Sequence, residues 1–311
     1  MRRRVMPIDA MTGPHDHSDV VDITTESRVA PPSPFPTDLK HLTEYVRDMK
    51  PHIFVAVPCY GCKMGTRFTT SLLRLEAMCL QHQIKLSVEF LGNESLITRG
   101  RCILAEKAMK SEATHLLFID ADIGFEPHSV LRMIAFDAPV CAAIYAKKGL
   151  NFGDVAAVPP RDAADQSDPT SQTTYAAKLA DAALNFNINL DPQTKNHTVT
   201  SGFIKVHDAA TGFMLIRMDT LRKLRHIYAE THLVRNDIPN SRDVMPEYVA
   251  LFETTICPVS RRLLSEDYSF CRKAQENGFD VFADITATLT HTGQIMNSGD
   301  LSHLLETKIS F

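Results

Sequence analysis

Between residues 52 and 145 the chain alternates short apolar runs with segments whose apolar residues recur at helical spacing. That alternation constrains the fold more than any other feature. His52-Ile53-Phe54-Val55-Ala56-Val57, halted at Pro58, reads as a buried strand. Phe68, Leu72, Leu75 and Cys79 predict a core-facing helix over 67–82. Leu86–Phe90 predicts a second strand, and 95–110 a second helix with Ile97, Leu104 and Ala108 on its apolar side. Residues 114–119 form a third strand that runs straight into Asp120; Val130, Leu131 and Ile134 mark a third helix, and Val140–Tyr145 a further strand. Repeats of this kind build an α/β fold with a mainly parallel, Rossmann-like sheet flanked by helices. Ligands of such sheets bind beyond the carboxyl ends of the strands. Pro58-Cys59-Tyr60-Gly61 and Asp120-Ala121-Asp122 are therefore expected to face one crevice.

Residues 1–38 hold Pro7, Pro14, Pro31, Pro32, Pro34 and Pro36 and no apolar period, so a disordered tail is expected there, with a single domain over 39–311. Residues 149–200 read as a polar excursion with one helix around Tyr175–Ala183 and a strand at Asn185–Leu190; 228–262 carry no readable pattern. Strands are expected at Phe203–Val206 and Phe213–Ile216, a helix at 219–227, a helix at 266–277 closed by Gly278, and strands at Val281–Ala283 and Ala287–His291.

A net charge of −4 and a pI near 6.3, with no basic face, argue against a nucleic-acid partner. No stretch approaches the roughly 20 apolar residues of a membrane span. The arginines at 2–4 lack the apolar run of a secretory signal, so a cytoplasmic protein is expected. The seven cysteines, an odd number, form no disulfide framework. Cys59-x-x-Cys62 has no second pair to complete a zinc site, which favours buried or loop thiols.

Asp120-Ala121-Asp122 is the sharpest chemical feature. Two carboxylates two residues apart at a strand end repel each other when ionised; a hard cation such as Mg²⁺ or Mn²⁺ relieves that and bridges to substrate phosphates. The plain alternative is a turn in which Asp122 helps cap the next helix. Ser265-Glu266-Asp267 opens a helix, where Ser caps and acids complement the dipole, or where one carboxylate is a general base. His291 at a strand end is a structural or surface histidine, or a neutral metal ligand. Arg99 and Arg101 pair with phosphate or form the solvated side of their helix. Gly212 permits either the close approach of a ligand or a tight turn.

Taken in order, VAVPCYG (55–61), NESLITRGRCILAEKAMKSEATHLLFIDADIGF (93–125), TGFMLIRMDTLRKL (211–224), LLSEDYSFCRKAQENGFDVFAD (263–284) and LTHTG (289–293) resemble the GT-A nucleotide-sugar glycosyltransferases. The likeness is to family-2-type members of bacteria, phages and large DNA viruses, and it covers about residues 50–295. It implies a GT-A-like fold and a hexosyltransferase-like enzyme that moves a sugar from a nucleotide diphosphate sugar, UDP- or GDP-type, to an acceptor hydroxyl. Under the resemblance Pro58 and Tyr60 lie near the nucleotide base. Arg101 matches the Arg of an Ala-Arg-Asn element, although Gly100 and Cys102 flank it here, which keeps Arg99 as a rival on the phosphate side. Asp120 and Asp122 match the D-x-D motif that holds Mn²⁺ or Mg²⁺ and the diphosphate, and His291 the histidine that completes the metal shell. Asp267, with Glu266 beside it, matches the base of inverting members. Two other readings compete: a non-catalytic nucleotide-sugar or carbohydrate-binding protein of the same fold, and a D-x-D phosphatase with Asp120 as nucleophile. The phosphatase pattern wants the motif on the first strand and a hydroxyl where Gly124 stands.

Overall fold

The computed structural model describes residues 39–155, 158, 169–191, 197–236 and 246–293. The expected tail over 1–38 lies outside them, as do residues 156–157, 159–168 and 192–196 of the 149–200 excursion.

The main sheet has eight strands: β1 His52–Cys59, β2 Lys85–Gly92, β3 His115–Ile119, β4 Val140–Ala143, β5 Val199–Thr200, β6 Phe203–Val206, β7 Phe213–Arg217 and β8 Val281–Asp284. Their spatial order is β2-β1-β3-β7-β4-β8-β6-β5. β1 pairs parallel with β2 and β3, and β4 parallel with β8. β7 runs antiparallel between β3 and β4, and β6 antiparallel between β8 and β5. Six of the eight strands, all but β6 and β7, run in one direction, so the sheet is mixed and mainly parallel.

Both faces are covered, so the strands read as continuous apolar runs. Along β1, Ile53, Val55 and Val57 feed one apolar core while Phe54 and Ala56 feed the other; in β3, Leu117 and Ile119 divide from Leu116 and Phe118 in the same way. The first core is closed by α1 (Leu39–Asp48), α2 (Thr66–Gln81) and α4 (Pro127–Phe136), through Leu42, Phe68, Leu75 and Ile134 among others. The second is closed by α3 (Ile97–Lys110), α7 (Met218–Tyr228) and α8 (Glu266–Glu276), through Leu104, Leu221 and Phe270. Two further helices, α5 (Phe152–Val155) and α6 (Pro169–Ala182), belong to the excursion after β4.

Two expectations are revised and one element is added. The strand expected at Ala287–His291 contracts to Thr290–His291, which pairs antiparallel with Ile123–Gly124 rather than joining the main sheet. The strand expected at Asn185–Leu190 is only Ile188–Asn189, paired with Asp208–Ala209. Helix α1 was not anticipated; it buries Leu42 and Val46, one turn apart. Among the described residues no helix is long and apolar enough to cross a membrane.

Candidate functional site

β1 and β3 are neighbours and parallel, so their carboxyl ends open at the same place. The chain leaves β1 through a short 3₁₀ turn at Tyr60–Cys62 and leaves β3 into Asp120-Ala121-Asp122. Backbone bonds fix this second turn: Asp120 N–H donates to Gly212 O (2.9 Å), Gly65 N–H to Ala121 O (2.7 Å) and Thr292 N–H to Asp122 O (2.9 Å). Around it lies a crevice of about 640 Å³, a size that suits a small-molecule ligand. Its walls include Pro58, Tyr60, Lys63, Arg101, Asp120, Asp122, Tyr145, Glu266 and Asp267. A smaller hollow of about 360 Å³, lined by Arg67, Arg74 and Glu126 among others, holds none of the paired carboxylates.

Arg101 organises the floor. It stands on α3, is 3 % exposed, and lies 5.3 Å from the Phe118 ring centroid. One guanidinium nitrogen, Nη2, donates to Asp120 Oδ1 (3.0 Å) and Nε donates to Glu266 Oε1 (3.3 Å). Burial works against its charge, but Asp120 and Glu266 outweigh that and raise its pKa. Nη1 is buried and finds no partner among the described residues. Arg99 is engaged elsewhere: it forks onto Glu94 at 2.7 and 2.8 Å. Burial opposes the Glu94 charge, yet the Arg99 bonds hold its carboxyl below the usual range. Of the two arginines, only Arg101 lines the crevice.

Asp122 caps no helix; the N-cap of α4 is Glu126. Its Oδ2 pairs with Lys148 and its Oδ1 lies 3.7 Å from His291 Nε2. His291 Nδ1 meets the carbonyl of Ala146 at 2.8 Å and must donate to it, so in the neutral ring Nε2 turns a lone pair toward Asp122. A carbonyl partner on the far nitrogen is the arrangement that orients metal-binding histidines. Among the described residues no group of three or more His, Cys, Asp or Glu comes together as a metal cage. Asp122 and His291 supply two donors, so a divalent cation held between them would take its remaining ligands from a substrate or from water.

Asp267 lies in the first turn of α8 and lines the crevice. Ser265 is the N-cap residue but makes no capping bond; its hydroxyl donates to Asp267 Oδ1, which also accepts the Tyr268 N–H at 2.8 Å. Glu266, one residue back, is committed to Arg101.

Two residues that pattern reading did not single out complete the site. Tyr145, 6 % exposed, lines the crevice two residues past β4. Burial, with the nearby charge of Asp120, pushes its phenol pKa well up, so it remains a protonated donor. A Cβ on Gly212 would stand 2.2 Å from Tyr145 Oη and 2.9 Å from Asp120 Oδ2. The close approach that requires glycine here is thus made by the site's own side chains. Lys148 is the second missed residue, visible only through its contact with Asp122. Gly124 has a similar reason: a Cβ there would meet Thr290 Oγ1 at 2.5 Å. Cys59 is buried and Cys62 exposed, both free thiols.

No protein-family model matches the chain, and no curated protein is similar to it in sequence. Among solved structures, the A197 protein from STIV is similar over 78 % of this chain and 86 % of its own, with 12 % identity and a TM-score of 0.39. GalNAc-T7, solved with UDP, GalNAc and Mn²⁺, is similar over 78 % of this chain, again at 12 % identity, with a TM-score of 0.36. The match spans only 44 % of GalNAc-T7. Both likenesses are weak, and the chemistry of the site rests on its own residues.

Proposed function

We propose that this chain is a metal-dependent glycosyltransferase of GT-A type, moving a sugar from a nucleotide diphosphate sugar to an acceptor hydroxyl. The observation that carries the reading is the charge of the crevice. Its lining sets Glu94, Asp120, Asp122, Glu266 and Asp267 against Lys63 and Arg101. A diphosphate entering such a site needs a further cation, and Asp122 with His291 would hold Mn²⁺ or Mg²⁺. Bound there, the ion would supply positive charge to the leaving diphosphate.

The chain's own residues divide the remaining work. Pro58 and Tyr60 form the wall on which the nucleotide base would rest. Arg101, fixed by Asp120 and Glu266, lends the floor of the crevice a positive charge that favours the donor's phosphates. Asp267 takes the proton of the acceptor hydroxyl while the hydroxyl oxygen bonds the anomeric carbon. The bond from that carbon to the diphosphate breaks as the other forms, and the diphosphate leaves with the electron pair. A single displacement of this kind inverts the anomeric centre. Glu266 serves as a holder of Arg101 rather than as a base.

The test is a panel of UDP- and GDP-sugars with Mn²⁺, read by release of nucleoside diphosphate, with and without EDTA. Turnover that vanishes in EDTA and returns with Mn²⁺ or Mg²⁺ is expected. Undiminished activity in chelator would sink the metal dependence. Tight nucleotide-sugar binding with no turnover on any acceptor would favour a binding protein, and release of phosphate from a monoester would favour a phosphatase.

A further inference from the structure

Asp122 already has a cation beside it, supplied by the chain itself. The ammonium of Lys148 lies on Oδ2, while His291 faces Oδ1. Lys148 follows β4 by five residues, and its stem is pressed against Gly293, where a Cβ would come within 3.0 Å of Lys148 Cγ and Cδ. The segment carrying Gly293 is tied to Asp122 by the Thr292 N–H. The stem is therefore anchored, while the charged end is not sealed in: the side chains of Lys148 and Asp122 are 47 % and 34 % exposed. An ion pair this open is cheap to break. With the stem held at Cγ and Cδ, rotation about its last bonds can still carry the ammonium from one oxygen partner to another without loss of charge.

We propose that Lys148 is an exchangeable counter-charge of the nucleotide site. It neutralises Asp122 while no nucleotide is present, and it swings onto the incoming diphosphate, which frees Asp122 for the divalent cation. This inference rests on the nucleotide-diphosphate reading of the crevice. It makes metal and nucleotide binding mutually reinforcing, because the cation alone must displace Lys148 from Asp122 whereas the diphosphate draws it away. It also gives the nucleotide a protein-borne cation when no metal is available.

Titration calorimetry on the full chain tests it in three arms: Mn²⁺ alone, UDP or GDP in EDTA, and UDP or GDP with Mn²⁺. Lys148→Met keeps the stem and removes the charge. It should bind Mn²⁺ alone about tenfold tighter than wild type and bind UDP or GDP in EDTA about tenfold more weakly, the scale of one charge-assisted hydrogen bond. Lys148→Arg should restore binding in EDTA. Should Lys148→Met fail to fold, Lys148→Gln carries the same titrations. A neutral variant that matches wild type both with Mn²⁺ alone and in EDTA, while nucleotide with Mn²⁺ still binds, overturns the role of Lys148 and leaves the proposed function standing. Failure of wild type to bind either nucleotide under any condition overturns both.

Discussion

Asp267 and Gly212 show how single residues define this site, one by chemistry and the other by space. Asp267 Oδ1 already accepts two hydrogen bonds, from Ser265 and Tyr268, that the amide oxygen of asparagine can keep. Asp267→Asn therefore removes basicity and little else. With Asp267 as the proposed base, the variant should bind UDP or GDP with Mn²⁺ at near-normal affinity, while turnover falls by ~10²–10⁴, the usual share of general-base catalysis. Normal turnover in this variant would move the base elsewhere and remove the reason for expecting inversion. Gly212→Ala acts through packing. The added methyl would meet Tyr145 Oη at 2.2 Å and Asp120 Oδ2 at 2.9 Å, so the buried ring has to move. Overpacking of this kind costs about 1–3 kcal/mol, and it should appear in urea denaturation together with weakened nucleotide binding. Unchanged values for both would show that the crevice wall yields freely. Asp120 and Asp122 were legible because a strand that ends in paired carboxylates is a local signal. Tyr145 and Lys148 were not, because their partners at 212, 120 and 122 are brought to them only by the fold.

At the scale of elements, legibility followed the range of the forces. β1, β2, β3 and β4 and the helices between them were readable because apolar spacing within one element decides them. Helix α1 escaped notice because its buried apolar contribution is brief, Leu42 and Val46, and prolines crowd the chain before it. The antiparallel insertion of β7 between β3 and β4 was not readable: nothing local in Phe213–Arg217 states which strands it will meet. β3 also carries a titrating liability. His115 is 7 % exposed at the start of that strand, with Thr114 Oγ1 2.8 Å from Nδ1 and Nε2 buried without a partner among the described residues. Burial, reinforced by the charge of Arg217 and opposed by Asp219, pushes its pKa down to about 4 from 6.5. The native state thus refuses a proton that the unfolded chain accepts. The stability contributed by neutral His115 is whole above pH 6.5 and drains away as pH falls toward 4, by on the order of 3 kcal/mol. Urea denaturation at pH 7 and pH 4.5 should show this loss, and His115→Asn should flatten it. Equal pH dependence in the two proteins would assign the acid sensitivity to other groups.

For the whole molecule, the two apolar cores set where a foldable unit begins. One core lies on each face of the sheet, and the strands β1, β3, β4 and β7 contribute alternate side chains to both. Loss of a covering helix should therefore be felt through the strand beneath it. Helix α1 is the first described element, and it closes one core with Leu42 and Val46, 3 % and 0 % exposed, over the same cluster as Ile134 of α4. Removing residues 1–38 spares this helix, so thermal stability and nucleotide binding should match the full chain. Removing residues 1–48 deletes it. Two buried aliphatic side chains are worth roughly 1.5–3 kcal/mol each, a large share of the 5–15 kcal/mol that typically holds a domain together. The melting temperature should then fall steeply, or the shortened chain should fail to fold. The two truncations separate the alternatives cleanly in one scanning experiment. If the first already lowers the melting temperature as much as the second, residues before Leu39 contribute to the core. If neither does, the cluster around Leu42 and Val46 is not needed to hold β1 and α4 in place, and the boundary of the folded unit lies further along the chain.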